Sequence, residues 1–236
     1  MSTDGDIRSS ARTLLVTHGP EAVTLRAIAR ELNITAPALY RYYSSRDALI
    51  EQIRLDVVAD LGQQLSAEAT ASPDDAAAQL FTLCRGFRSW ALTHPREFTL
   101  VFASPTGDVG SAKGSVATLR RAGEPFGRIF LTTAGQVLAT HQLTMPPAEA
   151  VPTELHDDFA AYHNELLDIL TASGVDIPQG TLDLGTTYMM IQFWARLYGH
   201  VTLEVFGNYP IPMSKPEALF DAMLAELAAE IGLYPA

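Results

Sequence analysis

Cysteine is almost missing from this chain. Cys84 is the single one in 236 residues, so no intrachain disulfide can form. Such usage fits a reducing compartment, and a cytoplasmic location is expected. A lone thiol of this kind reads first as a small buried apolar residue. No apolar run reaches the ~18 residues that a membrane span requires, so no membrane partner is expected. The opening MSTDGDIRSS has no basic stretch followed by an apolar one, so a secretory leader is not expected either. Strand signals are scarce: there is no sustained two-residue alternation, and no Asn-Gly or Asp-Gly turn joins alternating runs. Catalytic spacings are also absent. HExxH, CxxC and GxSxG do not occur, and GDVGSAKGS has the glycines of a phosphate loop without its spacing. The six histidines show no close metal-ligand spacing. His156 and His163, seven apart in HDDFAAYH, read as a solvated helix edge. Neither an enzyme nor a cofactor or metal is expected.

What is present is ordinary folding material with an unusual charge distribution. Hydrophobic residues make up 47 % of the chain and charged ones 18 %, as in globular proteins of one or two domains. The net charge is −11, yet residues 1 to 46 hold six arginines (8, 12, 26, 30, 41 and 46) against Asp4, Asp6, Glu21 and Glu31. That leaves a balance of +2 in the head and −13 in the remainder. A phosphate-binding surface, if the protein has one, belongs at the N-terminal end.

Apolar residues recur at three- and four-residue spacing, which predicts helices throughout. Ile7, Ala11, Leu14 and Leu15 share one face of a first helix closed by Gly19. Thr24 is the expected N-cap of a short second helix through Leu32. A third starts near Thr35, with Pro37 in its first turn. Ser44, with Asp47 three residues on, predicts the cap of a fourth helix to about residue 70. Further helices are expected from 71–75 to about His94, from Pro95 through Phe102, over 116–140 with a break at Pro125, over 154–172, over 181–206 and over 216–232. The last is expected to be capped by Ser214 with Glu217. Loops are expected at 104–115, 145–152 and 173–180.

Two of these helices fit a helix-turn-helix within TLRAIARELNITAPALYRYY. Leu25, Ile28, Ala29 and Leu32 form an inner face, Asn33 takes a left-handed turn position, and Ile34 plugs the gap. On a wheel of 100° per residue, Leu39 and Tyr43 point inward, Pro37, Ala38, Arg41 and Tyr42 point outward, and Tyr40 lies at the border. Such an outer face suits a major groove. Small residues at the helix start, Ala36 among them, permit close approach; Arg41 can donate to guanine O6 and N7, and Pro37 and Ala38 can meet a thymine methyl. Thr35 and the tyrosine hydroxyls can donate to phosphate oxygens.

These residues, TLRAIARELNITAPALYRYYSSRDAL within about 7 to 55, resemble the tetracycline-repressor (TetR) family of bacterial transcription regulators. Leu39 and Tyr40 match the family's leucine-tyrosine pair, and Arg41 takes its variable place. Tyr42 and Tyr43 stand where histidine and phenylalanine are usual, and Arg46 where lysine is usual. The resemblance implies that Tyr43 is core, that Tyr40, Tyr42 and Arg46 contact phosphates, and that Arg26 reaches a base or phosphate. Thr24, Arg26, Thr35, Ala36, Pro37, Ala38, Tyr40, Arg41, Tyr42, Ser44 and Arg46 are therefore the candidate DNA-contacting residues. Arg30 reads as solvated surface. FRSWALTHPREFTLVFASP and WARLYGHVTLEVFG are similar to the ligand and dimer domain of a tryptophan-histidine-glycine-like subgroup.

The resemblance implies an all-α protein, with a helix-turn-helix domain at 1–50 and a helical ligand-binding and dimerisation domain at 51–236. In the second part, Phe87, Trp90, His94, Phe98, Phe102, Arg121, Phe126, Phe130, Tyr188, Gln192 and Trp194 are candidates for an effector pocket. The pocket rests mainly on the resemblance: read without it, each aromatic is more often ordinary core, His94 a helix end and Arg121 surface. The last two long helices carry small and apolar faces that could pair with their copies in a homodimer or finish the monomer's own core. Arg196, His200 and Glu204 read as an ion-pair ladder. The expected function is a homodimeric, ligand-responsive repressor of a palindromic double-stranded operator, released by a small apolar or aromatic molecule. An activator of the same fold and a small-molecule binding protein with an idle head are the alternatives.

Overall fold

The computed structural model describes residues 4–72, 75–103 and 125–233, and among them it contains ten α-helices and no strand. The expected loop at 104–115, the helix start at 116–124 and Arg121 lie outside the described residues. The chain divides into two compact units. The first comprises residues up to Leu61 together with the stretch from Thr93; the second comprises Gly62–Leu92 and the stretch from Pro125. The first unit thus extends beyond residue 50 and takes in a segment distant in sequence.

The first unit begins with α1 (Asp4–His18), which buries Ile7, Ala11, Leu14 and Leu15 as the spacing predicts. Gly19, at φ +88°, ends it and donates its N–H to Leu15 O at 3.0 Å. A short 3₁₀ turn (Pro20–Ala22) leads to α2 (Leu25–Glu31), whose cap is Thr24 with its hydroxyl accepting from Ala27 N at 3.1 Å. Asn33, at φ +52°, is the one non-glycine residue with a left-handed backbone among the described residues. It turns the chain into α3 (Ala36–Leu39). Next comes α4 (Arg46–Thr70), whose cap is Ser45 and not Ser44: Ser45 Oγ accepts from Ala48 N at 3.1 Å, and its carbonyl already accepts from Leu49 N. Two adjacent serines made the register ambiguous, and the backbone settles it one residue late.

Between Pro95 and Ala103 the expected single helix is one α-turn, α6 (Pro95–Phe98), followed by a π turn (Thr99–Ala103). Arginines tie this segment to the head. Arg12 of α1 donates to Asp60 of α4 and to Glu97 of α6, and the Glu97 carboxylate is almost fully buried. Arg96 donates to Val16 O at 2.7 Å, satisfying a carbonyl at the end of α1, and Arg54 donates to Leu100 O at 3.1 Å.

The second unit holds the end of α4 with α5 (Ala76–Thr93), α7 (Pro125–Thr140), α8 (His156–Ala172), α9 (Leu184–Val205) and α10 (Pro216–Glu230). Asp75 caps α5 by accepting from Ala77 N and Ala78 N, and Asp183 caps α9 by accepting from Thr186 N at 2.8 Å. Pro125 is the first residue of α7, where a missing N–H costs nothing. The Ser214–Glu217 capping box does not form. Lys215 takes the cap position because Pro216, with its fixed φ, sets the first helical residue. Leu138, Leu166, Leu170 and Leu182 make a core between α7, α8 and the approach to α9. Gly62 lets α4 and α7 meet, since a Cβ there would lie 2.6 Å from Pro125 Cβ. Cys84 is fully buried as expected, and burial pushes its thiol up to about 12.

The ion-pair ladder on α9 is not formed. Arg196 donates to Glu230 of α10 at 2.6 Å. Glu204 accepts from one edge of the Arg88 guanidinium of α5 with both carboxylate oxygens, Nε at 2.7 Å and Nη2 at 2.5 Å. His200 packs its ring against Tyr209 and Phe220, and this burial lowers its pKa. A helix enclosed on several sides sends its polar groups to neighbouring helices instead of along its own face.

Candidate nucleic-acid interface

The stretch from Thr35 to Tyr43 is less regular than a continuous helix. After Leu39 the bonds tighten: Arg41 N bonds Ala38 O and Tyr42 N bonds Leu39 O, three residues back, before Tyr43 N returns to Leu39 O at 3.1 Å. The tightening leaves the inward pair intact, with Leu39 and Tyr43 both buried. Tyr43 Oη donates to Asp4 Oδ1 at 2.6 Å, and burial followed by this carboxylate raises the phenol well above its ordinary range. Asp4 also pairs with Arg8, which donates to Asp56 at 2.8 Å. The inward tyrosine thereby connects α3 with α1 and α4. Tyr40, placed at the border by the wheel, is instead the more exposed of the two outer tyrosines, at 56 % against 45 % for Tyr42.

Around this turn, Thr24, Arg26, Thr35, Pro37, Arg41 and Ser44 are exposed, and Ala36 and Ala38 are half-buried. Thr35 caps α3 without a side-chain hydrogen bond, so its hydroxyl is not used there; the Thr24 oxygen is, by Ala27 N. The six arginines of the head sort into two sets. Arg8, Arg12 and Arg46 bond within the unit: Arg46 donates from Nε to Val23 O and from Nη2 to Pro20 O, each at 2.7 Å. Arg26, Arg30 and Arg41 are exposed and, among the described residues, their guanidinium groups have no ion pair or hydrogen bond. Unpaired surface guanidinium groups on a helix-turn-helix can meet phosphates or guanine edges.

The effector candidates fall in both units. In the second, Phe87, Phe126, Phe130 and Trp194 form a cluster with ring centroids 5.2–6.4 Å apart. Tyr198, outside the expected pocket set, extends it by stacking on Trp194 at 5.8 Å. Trp90 is buried, while Gln192 and Tyr188 are half-buried. Tyr188 packs on Phe159, a ring on α8 that no motif singled out, at 6.0 Å. Phe98 and Phe102 stack on each other at 5.2 Å within the first unit. His94 lies at the start of α6 with its Nδ1 at 2.9 Å from Thr93 Oγ1.

Known proteins match both parts of the chain. Residues 7–53 match the family described as bacterial regulatory proteins, tetR family, and residues 80–227 match the tetracyclin repressor-like C-terminal domain, more than half of the chain. The chain belongs to the TetR family. As a TetR-family member it is a DNA-binding, helix-turn-helix transcriptional regulator. It is 28 % identical to the HTH-type transcriptional regulator Rv1816 of Mycobacterium tuberculosis over 92 % of this chain and 87 % of that one. Among solved structures, its fold matches the regulatory protein SCO4313 with a TM-score of 0.64 at 23 % identity, over 95 % and 94 % of the two chains. It also matches a TetR variant from Acinetobacter baumannii, solved in complex with minocycline, with a TM-score of 0.50 at 16 % identity over 97 % and 96 %. Among the described residues, no helix of this TetR-family protein is long and apolar enough to cross a membrane.

Proposed function

We propose that this regulator is a homodimeric repressor that binds a palindromic operator and is released by a small apolar or aromatic molecule. The observation that carries the operator reading is the pair Arg26 and Arg41, exposed and unpaired on either side of a turn fixed by Asn33. Arg41 and Tyr42 face the groove and Tyr40 the backbone, with Pro37 and Ala38 close to the bases.

Dimerisation is supported by exposed apolar and small residues on the last two long helices. Ala195, Leu203 and Phe206 on and just after α9, and Ala218, Leu219, Ala222 and Ala225 on α10, are all exposed in the single chain. Gly199 opens on empty space. Small residues allow close helix pairing, and a two-fold axis places two heads at half-sites about 34 Å apart or a multiple of it. For the effector, the support is the five-ring cluster of the second unit, together with a protein of similar fold that was solved in complex with minocycline. The two ligands oppose each other through one coupling energy, typically ~1–3 kcal/mol, and α4, which continues from the first unit into the second, carries the displacement.

The test is fluorescence anisotropy with duplexes selected from a randomised library. Arg41→Ala should lower affinity about 10- to 100-fold and relax base preference at one position of each half-site. Unchanged binding by Arg41→Ala, or no selected duplex at low salt, refutes the operator reading. A selected site lacking two-fold symmetry refutes the dimer.

A further inference from the structure

The resemblance makes Arg46 a phosphate contact, but the geometry around it points to another role. Arg46 is the first residue of α4, and both of its hydrogen-bonded donors, Nε–H and Nη2–H, lie on one edge of the planar guanidinium. Their acceptors, Val23 O and Pro20 O, belong to the connection between α1 and α2. Pro20 O also accepts from Val23 N at 3.2 Å, so the arginine closes on a turn that the backbone has already made. Val23 is fully buried and directly precedes Thr24, the cap of α2. The remaining nitrogen, Nη1, lies 3.9 Å from Asp47, whose side chain is almost fully exposed; that pair adds little.

We propose that Arg46 is a positioning residue. It latches the start of α4 to the start of α2 and so sets where Thr24 and Arg26 stand against the recognition turn, and it supplies no phosphate contact. The inference rests on the operator-binding reading above. A side-on guanidinium can span two carbonyls held in one plane. A lysine ammonium has one nitrogen at the end of a flexible stem and cannot reproduce the span, although it would serve a phosphate as a point charge. Lysine is therefore the discriminating replacement.

Arg46→Lys and Arg46→Ala are compared with the wild type in two measurements on the full chain. The first is anisotropy with a library-selected duplex over a salt series. The second is amide hydrogen exchange over residues 20–27. A latch predicts that Arg46→Lys loses affinity nearly as much as Arg46→Ala, by about tenfold or more, with the wild-type salt dependence. It also predicts faster exchange over 20–27 in both variants. Near-wild-type affinity in Arg46→Lys, with a salt slope shallower by ~1 in Arg46→Ala, would make Arg46 a phosphate contact and overturn the proposal. A lowered melting temperature with unchanged operator affinity would make it a stability staple only, which overturns it as well. If the wild type binds no duplex, the operator reading fails on its own. The exchange data then decide the latch: faster exchange upholds it, and unchanged exchange removes it.

Discussion

The two units of this protein are held together by different means. In the first, polar side chains pin the elements around a small apolar core: Tyr43 to Asp4, Arg8 to Asp56, Arg12 to Asp60 and Glu97, Arg46 to two carbonyls, Arg96 to the end of α1. In the second, long helices meet through leucines and rings, with the Arg88–Glu204 pair as a buried exception. Helix length accounts for the part of the contrast that concerns α2 and α3. A helix of seven residues or four cannot hold itself in water and offers little apolar surface. Directional bonds then decide its orientation. Helices of fifteen to twenty-two residues bury whole faces, and non-directional burial suffices. Polar substitutions in the head should therefore act on geometry, and apolar ones in the body on stability.

The largest effect that would sharpen this contrast is Phe87→Ala. Phe87 is fully buried and meets three other rings, so its removal should cost about 3–5 kcal/mol in urea unfolding. A cost under ~1 kcal/mol would break the account of the body. Next comes Arg88→Met, which strands the mostly buried Glu204 carboxylate and should cost about 3 kcal/mol. The double variant Arg88→Met/Glu204→Met should return to within ~1 kcal/mol of wild type, because two apolar partners leave no unpaired charge. The smallest is Tyr43→Phe, at about 1 kcal/mol for one hydroxyl.

Tyr43 also supplies a pH signature. Its folded pKa lies above the unfolded value of 10.0, so its contribution is fully present below pH 10 and is lost as pH rises beyond it. Cys84, raised from 9.0 to about 12, gives a parallel loss in wild type and variant alike. The unfolding midpoint should therefore fall more steeply above pH 10 in wild type than in Tyr43→Phe. Equal slopes would remove Tyr43 from the account.

Local features of the fold were legible in the sequence. The Thr24 cap, the left-handed Asn33, and the inward pair Leu39 and Tyr43 all depend on residues within a few positions of each other. The choice between Ser44 and Ser45 was not, because adjacent serines present the same capping chemistry. Long-range pairs were invisible for a different reason. Arg12 meets Glu97 across 85 residues and Arg88 meets Glu204 across 116, and no periodicity encodes which charge an arginine will find. This also explains the failed ladder on α9: spacing predicted the face, while enclosure chose the partners. In the candidate interface, the exposure of Pro37, Arg41 and Tyr42 was readable from the wheel and that of Tyr40 was not; Arg46 bonding back to Val23 was not readable either, since its position matched a phosphate contact equally well.

The segment Thr93–Ala103 has a practical consequence for anyone wishing to build hybrid regulators. A head excised at residue 50 would lose Asp56, Asp60, Glu97 and Arg96, the partners on which Arg8, Arg12 and the end of α1 depend. A transplantable reading head is thus a two-piece cassette, residues 4–61 with 93–103. A chimera that exchanges the first piece alone inherits another protein's answer to its own arginines.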